Sequence, residues 1–293
     1  MPGNVTFHRP STLEETLSLL AANPEQSKLL AGGTAFTILW RSGLIQAEHV
    51  ICCAGLTELD YIRAEDGATV LGALATFRSA EVSSVLTRQC PVLASTLHHV
   101  ANLRVRNVAT WGGNLAEADS TSDLPAVLVA LDSEVVVRSA TGQRVSTAAD
   151  LLVDFFATTL EPDEMIVEVR IPAIPPWLAG SYVKFVSRSG DDRTCLGVAA
   201  FTGFDAAGRC RELRVAVIGA GPVPLRLPQI EARAIGQVLD ESAVAEVAAA
   251  YAVAADPMSD LRGSADYRRQ VLPALVTDAI TRASARQNAA VMA

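Results

Sequence analysis

Cysteine is scarce in this chain, and its spacing argues against two common kinds of site. The 293 residues include five cysteines, at positions 52, 53, 90, 195 and 210, and no two of them have C-x-x-C spacing. This pattern argues against an iron–sulfur cluster or a structural zinc site built from this chain alone. It indicates buried thiols in a reducing compartment, so we predict no metal site and a cytoplasmic location.

Histidine is scarce as well, and long apolar runs and a net positive charge are absent. The four histidines form no H-E-x-x-H pattern, and no G-x-S-x-G motif accompanies them, so we assign no catalytic residue. No run of about 18 apolar residues is present, which argues against a membrane span. The net charge of −8 argues against nucleic acid or an anionic membrane as a partner.

The chain is nevertheless rich in apolar residues, and their pattern predicts two kinds of architecture. The hydrophobic fraction is 50%, which is typical of a well-packed globular protein. Short strands and helices alternate until a proline-rich break near 170–178, and three strands followed by helices come after it. We predict an α+β protein with a first domain at 1–175 and a second domain at 176–293.

The segment KLLAGGTAF (28–36) is the first candidate ligand site. Glycine lets backbone N–H groups approach a ligand, and consecutive N–H groups in a turn form a concave anion site. The functional interpretation is a cradle for a diphosphate, to which Thr34 adds a hydroxyl. The structural alternative, favoured by the glycine pair alone, is a tight turn between a strand and a helix.

The segment ATWGGNLAEADSTSDLPAVLVAL (109–131) is the second candidate. We predict a turn at its Gly-Gly-Asn sequence that offers a hydroxyl, two glycines and an amide, as in the first segment. Asp123 precedes an apolar helix at 124–131, so it is either the N-cap of that helix or an acceptor for sugar hydroxyls. Asp119 is more typical of a solvated loop.

Two further clusters are weaker candidates. The segment IGAGPVPLR (218–226) lacks the third glycine of a dinucleotide fingerprint, and its prolines prevent a helix, so it predicts an ordered turn. The segment KFVSRSGDDR (184–193) is typical of a charged hairpin edge with Asp191 and Asp192 in its turn. The alternative is that Lys184 faces a flavin or its phosphates.

Several of these segments together resemble one family. The chain is similar over nearly its whole length to the FAD-binding medium subunits of the molybdenum hydroxylases, the flavoprotein subunits of aerobic carbon monoxide dehydrogenase and xanthine dehydrogenase-like enzymes. The resemblance rests on FHRPSTLEETLSLLAAN, LLAGGTAF, LGALATFRSAEV, NVATWGGNLAEADSTSDLPAVLVAL and DLRGSADYRR, of which the fourth is the most specific. It implies a FAD-binding fold of the vanillyl-alcohol-oxidase/PCMH type with two subdomains, at about 1–57 and 58–175. A domain with a three-stranded antiparallel sheet and helices follows it.

The resemblance also implies a set of cofactor-binding residues. The first loop would hold the diphosphate, the second would form another wall, and Asp123 would bind a ribityl or ribose hydroxyl. Lys184 and Ile166 stand where the family has a basic residue near the flavin and an apolar flavin contact. The complete set is Ala31, Gly32, Gly33, Thr34, Ala35, Thr110, Trp111, Gly112, Gly113, Asn114, Asp123, Ile166 and Lys184.

Two positions depart from the family pattern, and one absence concerns the link to FAD. Trp111 stands where we expect isoleucine or valine, which predicts a bulky group near the cofactor. Arg193 stands roughly where an apolar or aromatic residue approaches the flavin ring, which puts the ring environment and the electron acceptor in doubt. No histidine or cysteine stands clearly in a covalent-flavin position, so we predict non-covalent FAD.

The resemblance further implies partners and a role in electron transfer. A large partner subunit would oxidise the substrate at a molybdenum cofactor, and a small partner with [2Fe-2S] clusters would pass electrons to this FAD. A quinone, NAD or oxygen would accept them. We expect a dimer of heterotrimers, in the cytoplasm or held by partners at the inner face of the membrane. Aerobic carbon monoxide oxidation is one predicted setting; purine, aldehyde or N-heterocycle dehydrogenation and a self-sufficient FAD-dependent oxidoreductase are the alternatives.

Overall fold

The computed structural model of the chain describes residues 5–189 and 192–291, with side chains described up to residue 287. Asp191, predicted in a hairpin turn, lies outside the described residues. The chain divides into two compact units, each assembled from three segments. Unit 1 comprises Met1–Gln89, Asn102–Ala118 and Ser133–Pro172, and unit 2 comprises Cys90–Ala101, Asp119–Asp132 and Ala173–Ala293.

Unit 1 contains two principal sheets. The first is parallel, with strand order β1-β3-β2, and is made of β1 (Thr6–His8), β2 (Ser27–Leu30) and β3 (His49–Cys52). The second is antiparallel, with order β4-β5-β10-β6-β7. Its strands are β4 (Ile62–Glu65), β5 (Ala68–Gly72), β6 (Glu134–Arg138), β7 (Gln143–Thr147) and β10 (Met165–Ile171), and a small hairpin is formed by β8 (Leu152–Asp154) and β9 (Ala157–Thr158).

Short helices connect the strands of unit 1. They are α1 (Leu13–Ala22), α2 (Phe36–Arg41), α3 (Phe77–Glu81), α4 (Ser84–Gln89), α6 (Leu103–Arg106), α7 (Trp111–Glu117) and α9 (Ala148–Leu151). Helix α1 has both a capping residue and an apolar face that can be read from the sequence. Thr12 caps α1 by accepting a hydrogen bond from the backbone of Glu15, and Leu13, Leu17 and Leu20 recur at helical spacing and are buried. They form a core with Ile51 and Val167.

Unit 2 is built on an antiparallel sheet with strand order β11-β12-β13-β14. The strands are β11 (Leu178–Phe185), β12 (Leu196–Phe204), β13 (Cys210–Ile218) and β14 (Leu225–Arg226), and the helices are α5 (Pro91–Leu97), α8 (Leu124–Ala130), α10 (Pro228–Ala234), α11 (Glu241–Ala254) and α12 (Ala265–Val291). Helix α8 packs on β12 and β13, and α12 packs on β11, β12 and α11. The core includes Val198, Val215, Tyr251 and Ile280.

The α+β class predicted from the sequence is confirmed, with two differences in detail. A fourth, two-residue strand extends the predicted three-stranded sheet, because Leu225 and Arg226 pair with β13 directly after the predicted proline turn. The predicted Gly-Gly-Asn turn is wrong, because residues 111–117 form helix α7. Among the described helices, none is both long and apolar enough to cross a membrane. The predicted boundary after residue 175 stays a prediction.

Candidate functional site

The first glycine loop, Ala31–Ala35, lies in unit 1 between β2 and α2. Gly33 has a φ of +70°, a conformation that a residue with a Cβ adopts at a cost. Gly32 is required for a different reason: a Cβ there would lie 1.9 Å from the carbonyl oxygen of Val108. The loop therefore packs against the backbone of residues 108–109, which directly precede the second group of predicted site residues.

The first loop presents a row of unused donors. Within the described residues, the backbone N–H groups of Gly32, Gly33, Thr34 and Ala35 donate to no protein acceptor, and all four residues are half-buried. Successive N–H groups around a residue of positive φ form a concave site for an anion. This loop therefore has the donor set that a phosphate or diphosphate needs.

The second predicted loop differs from the first, since its glycines begin helix α7. Thr110 is the N-cap, and its Oγ1 accepts from the backbone N–H of Gly113 at 3.2 Å. The N–H of Gly112 donates to the oxygen of Ala73 at 2.8 Å, and that of Asn114 donates to the oxygen of Thr110 at 2.9 Å. These backbone donors are used within the protein, so the chemistry of the second segment is not that of the first.

Close packing accounts for the glycines of α7. A Cβ on Gly112 would lie 2.7 Å from the Cβ of Ala73, and a Cβ on Gly113 would lie 2.8 Å from the capping oxygen of Thr110. The Cβ position of Gly113 is 3.9 Å from the Cβ of Ala31. Unit 1 thus brings the first loop and the start of α7 side by side, as the predicted pair of walls requires.

Two predicted cofactor contacts are core residues of unit 1. The side chain of Trp111 is 1% exposed and packs edge-on against Phe77, with ring centroids 5.6 Å apart. Its indole Nε1 is buried and has no acceptor among the described residues. Ile166, in β10, is 3% exposed. Both side chains are buried in the core of unit 1, and their assignment as cofactor contacts stays a prediction.

Asp123 stands at the predicted N-cap of α8 but does not cap the helix with its side chain. Its backbone is helical, and no side-chain capping bond is formed. Instead, its Oδ1 accepts hydrogen bonds from the hydroxyls of Tyr182 and Thr194, each at 2.6 Å. The capping interpretation is wrong, because the carboxylate turns toward the sheet of unit 2, where stronger donors are available.

Lys184 completes this cluster, which we call the Asp123 cluster: Asp123, Tyr182, Lys184 and Thr194. The ammonium group donates to Asp123 Oδ2 at 3.2 Å and to the backbone oxygen of His99 at 2.6 Å. The two charged side chains are both nearly inaccessible to solvent, at 8% and 6% exposure. Lys184 is therefore a buried ion-pair partner, not a solvated residue of a hairpin edge. Its third N–H has no acceptor among the described residues.

Tyr182 and Thr194 were not among the sequence-predicted site residues. Tyr182 is two residues before Lys184 on β11, so both side chains lie on the same face of the strand, and this period could have identified Tyr182. Thr194 carries no comparable signal. Burial raises the pKa of the Tyr182 hydroxyl well above its usual value, and the adjacent Asp123 carboxylate raises it further. The hydroxyl therefore remains a proton donor across the physiological pH range.

Asp119 is ordered by two sets of contacts, contrary to the expected solvated loop. Its Oδ1 accepts from the backbone N–H and the hydroxyl of Thr121, at 2.9 and 2.7 Å. Its Oδ2 pairs with Arg193 at 2.9 Å. Arg193, predicted near the flavin ring, is thus held by a carboxylate of its own unit and leaves about half of its side chain exposed.

Comparison with known proteins gives matches along almost the whole chain. Residues 3–174 match the family described as the FAD binding domain in molybdopterin dehydrogenase, and residues 181–283 match the CO dehydrogenase flavoprotein C-terminal domain. The chain is 31% identical to the 6-hydroxypseudooxynicotine dehydrogenase complex subunit alpha of Paenarthrobacter nicotinovorans, over 96% of this chain and 95% of that protein. It is 30% identical to the carbon monoxide dehydrogenase medium chain of Hydrogenophaga pseudoflava, over 98% and 99%.

A solved structure supports the same relationship. A chain of a carbon monoxide dehydrogenase from Hydrogenophaga pseudoflava, in a form that lacks the Mo-pyranopterin moiety of the molybdenum cofactor, superposes with a TM-score of 0.92 at 30% identity. The superposition covers 98% of this chain and 99% of that one. The fold expected from the sequence resemblance is therefore confirmed.

Proposed function

The chain belongs to the family of FAD-binding domains of molybdopterin dehydrogenases, and on that premise we propose that it is the flavin-carrying electron-transfer subunit of a molybdenum hydroxylase. Its relatives are named as a medium chain or as a subunit of a dehydrogenase complex. By analogy, a large partner would carry the molybdenum cofactor and a small partner the [2Fe-2S] clusters, in a dimer of heterotrimers.

The observation that carries this proposal is the row of unused N–H donors at Gly32–Ala35. FAD contains a diphosphate, and four adjacent donors on a half-buried loop fit that group. We assign the diphosphate to this loop and infer that FAD is bound non-covalently.

The Asp123 cluster of unit 2 offers a different set of donors and acceptors. Because Asp123 and Lys184 neutralise each other, the cluster suits an uncharged group with hydroxyls better than a phosphate. Asp123 Oδ2 accepts only one hydrogen bond from the described residues, and Lys184 retains one N–H to donate. We assign these groups to a sugar or ribityl hydroxyl and to the flavin, respectively.

When bound, FAD would supply the redox chemistry, which protein side chains do not provide. The contribution proposed for this chain is to hold the cofactor, with the loop donors of unit 1 hydrogen-bonded to its diphosphate. No residue of the site is assigned as an acid or base toward substrate. The substrate would therefore react on a partner chain, with electrons arriving here and leaving to an external acceptor.

The relatives bear on the substrate. Identity is nearly the same to a protein named for 6-hydroxypseudooxynicotine and to one named for carbon monoxide, 31% and 30%. We infer that the role shared with these relatives is the flavin function and that the substrate is bound by the partner. Carbon monoxide oxidation stays a prediction beside the oxidation of N-heterocycles. Activity of the complex purified with its native partners, assayed with carbon monoxide and with nicotine-like heterocycles, would discriminate between them.

The flavin site is tested most directly with two glycines of unit 1 that share one backbone conformation. Gly33 and Gly43 have φ values of +70° and +74°, so alanine at either position costs about 1–2 kcal/mol of backbone strain. Gly33 belongs to the loop, whereas a Cβ on Gly43 would meet nothing within 4 Å. The measurement is FAD binding to the full-length chain, by quenching of flavin fluorescence.

We expect one FAD per chain for the wild type. Gly33→Ala should raise the dissociation constant about tenfold or more, because shifting the donors costs at least about 1.4 kcal/mol of binding energy. Gly43→Ala should lower the free energy of unfolding by about 1–2 kcal/mol, the same backbone strain as at Gly33, and should leave FAD affinity within about twofold. A wild-type chain that is colourless after incubation with excess FAD and removal of the unbound cofactor contradicts the proposal. Rapid flavin reduction of the lone chain by a small organic substrate would favour a self-sufficient oxidoreductase instead.

A further inference from the structure

One oxygen of Asp123 receives two hydroxyl donors from different parts of unit 2. Tyr182 lies in β11 and Thr194 lies just before β12, 59 and 71 residues after Asp123 in the chain, and each hydroxyl is 2.6 Å from Oδ1. The two bonds fill the lone-pair positions of that oxygen. They prevent the carboxylate from rotating, so that Oδ2 is held toward Lys184.

The neighbouring strand leaves room for this arrangement. A Cβ on Gly197 of β12 would lie 2.2 Å from the hydroxyl oxygen of Tyr182. Any larger residue at that position would displace the hydroxyl from Asp123. The gap at Gly197 thus allows the tyrosine hydroxyl to reach the carboxylate.

The hydrogen bonds from Tyr182 and Thr194 are not needed to balance the charge of Asp123. Lys184 already supplies a compensating charge at 3.2 Å, and it is itself fixed by the oxygen of His99. The two hydroxyls add orientation to a carboxylate whose charge is balanced, and they leave one acceptor position on Oδ2. An acceptor held in this way is suited to a hydroxyl donor of defined position.

We propose that Tyr182 and Thr194 are positioning residues, which fix the carboxylate of Asp123 so that its Oδ2 accepts a hydrogen bond from a hydroxyl of bound FAD. This inference rests on the proposed function. FAD carries hydroxyls in its ribityl chain and in its adenosine ribose, and riboflavin and ADP each contain one of these two groups. Binding of the two fragments therefore shows which hydroxyl is recognised.

The experiment uses the full-length chain with Tyr182→Phe and Thr194→Val, each of which removes one hydroxyl at nearly constant volume. The matched control is Tyr251→Phe, which removes the hydroxyl of a fully buried tyrosine elsewhere in unit 2, one that donates to the oxygen of Val215 at 2.7 Å. Thr194→Ser restores the hydroxyl. The measurements are dissociation constants for FAD, riboflavin and ADP, and the thermal midpoint of the cofactor-free protein.

Each positioning variant should raise the FAD dissociation constant about tenfold, the loss expected for one hydrogen bond to a charged group. One fragment should weaken to a similar extent while the other stays within about twofold, and Thr194→Ser should recover most of the FAD affinity. Tyr251→Phe should lower the thermal midpoint without changing FAD affinity. If Tyr182→Phe does not fold, Thr194→Val and Thr194→Ser give the same comparison.

Three results would overturn the inference: unchanged FAD affinity in both variants, equal weakening of riboflavin and ADP, or no recovery in Thr194→Ser. Failure of the wild type to bind FAD would refute the proposed function itself, and it would be seen before any variant is made. The two failures are therefore distinguishable.

Discussion

Replacement of Gly32 by alanine tests whether the first loop depends on contact with the segment before α7. The added Cβ would lie 1.9 Å from the carbonyl oxygen of Val108 and 3.1 Å from the Cα of Ala109. Both obstacles are backbone atoms, so no side-chain rotation relieves the clash. The loop and the 108–109 segment must instead move apart by more than an ångström, which disturbs the predicted diphosphate site and the start of α7 together.

The cost can be estimated from the nature of the clash. Overpacking of a core costs about 1–3 kcal/mol, and a backbone obstacle places Gly32→Ala at the upper end, about 3 kcal/mol. For a protein of 150–250 residues, each kcal/mol shifts the thermal midpoint by about 2–4 °C. We therefore expect the cofactor-free variant to unfold about 6–12 °C below the wild type.

The assay is thermal unfolding of the cofactor-free chain followed by circular dichroism, with Gly142→Ala as the control. A Cβ on Gly142, also in unit 1, would meet nothing within 4 Å. A Gly32→Ala midpoint within about 1 °C of the Gly142→Ala midpoint would refute the reasoning. It would mean that the loop accommodates a side chain and that its glycine is not needed for this contact.

Two further predictions concern charged groups. Lys184→Met leaves the buried carboxylate of Asp123 without its counter-charge, so the free energy of unfolding measured in urea should fall by about 3 kcal/mol. Adding Asp123→Asn should restore part of this stability. A loss of stability no larger than that of the exposed-site variant Lys28→Met would contradict the prediction. Glu164 accepts hydrogen bonds from Arg144 at 2.7 and 2.6 Å. These bonds lower the pKa of Glu164 below its usual value, although desolvation opposes them. The pair therefore stabilises the fold above about pH 4.3, and this stabilisation is lost as the pH falls through the folded pKa. Glu164→Gln should therefore flatten the fall of the thermal midpoint between about pH 5 and pH 3, whereas an unchanged slope would count against it.

Local signals in the sequence were sufficient for several elements. Helix α1 follows from Thr12 as cap, acidic residues in the first turn and apolar residues at helical spacing. The strands of unit 2 follow from apolar runs bounded by turn residues. The glycine loop at 31–35 follows from its pattern as well, since a strand, two glycines and a hydroxyl residue are adjacent in the sequence.

Elements decided by long-range packing were not predictable in this way. Two adjacent glycines disfavour a helix, yet α7 forms with Thr110 as its cap. The close contact with Ala73 explains why glycine stands at position 112. Asp before an apolar helix favours a cap, but the side chain of Asp123 binds Tyr182 and Thr194, which no local pattern connects to it. Trp111 suggested a cofactor contact because it departs from the family pattern, while its burial against Phe77 depends on the tertiary structure.

The division of the chain into interleaved segments has a consequence for its synthesis. Helix α8 is buried at every position, yet it is made well before β12 and β13, on which it packs. During translation, its apolar surface must wait until more than 80 further residues have left the ribosome. β10, the central strand of the second sheet of unit 1, likewise appears only at residue 165. Unit 1 ends at residue 172, so a nascent chain interrupted near residue 175 contains all of its segments but lacks β12 and β13 of unit 2. Such a chain would expose α8, which the finished protein buries at every position.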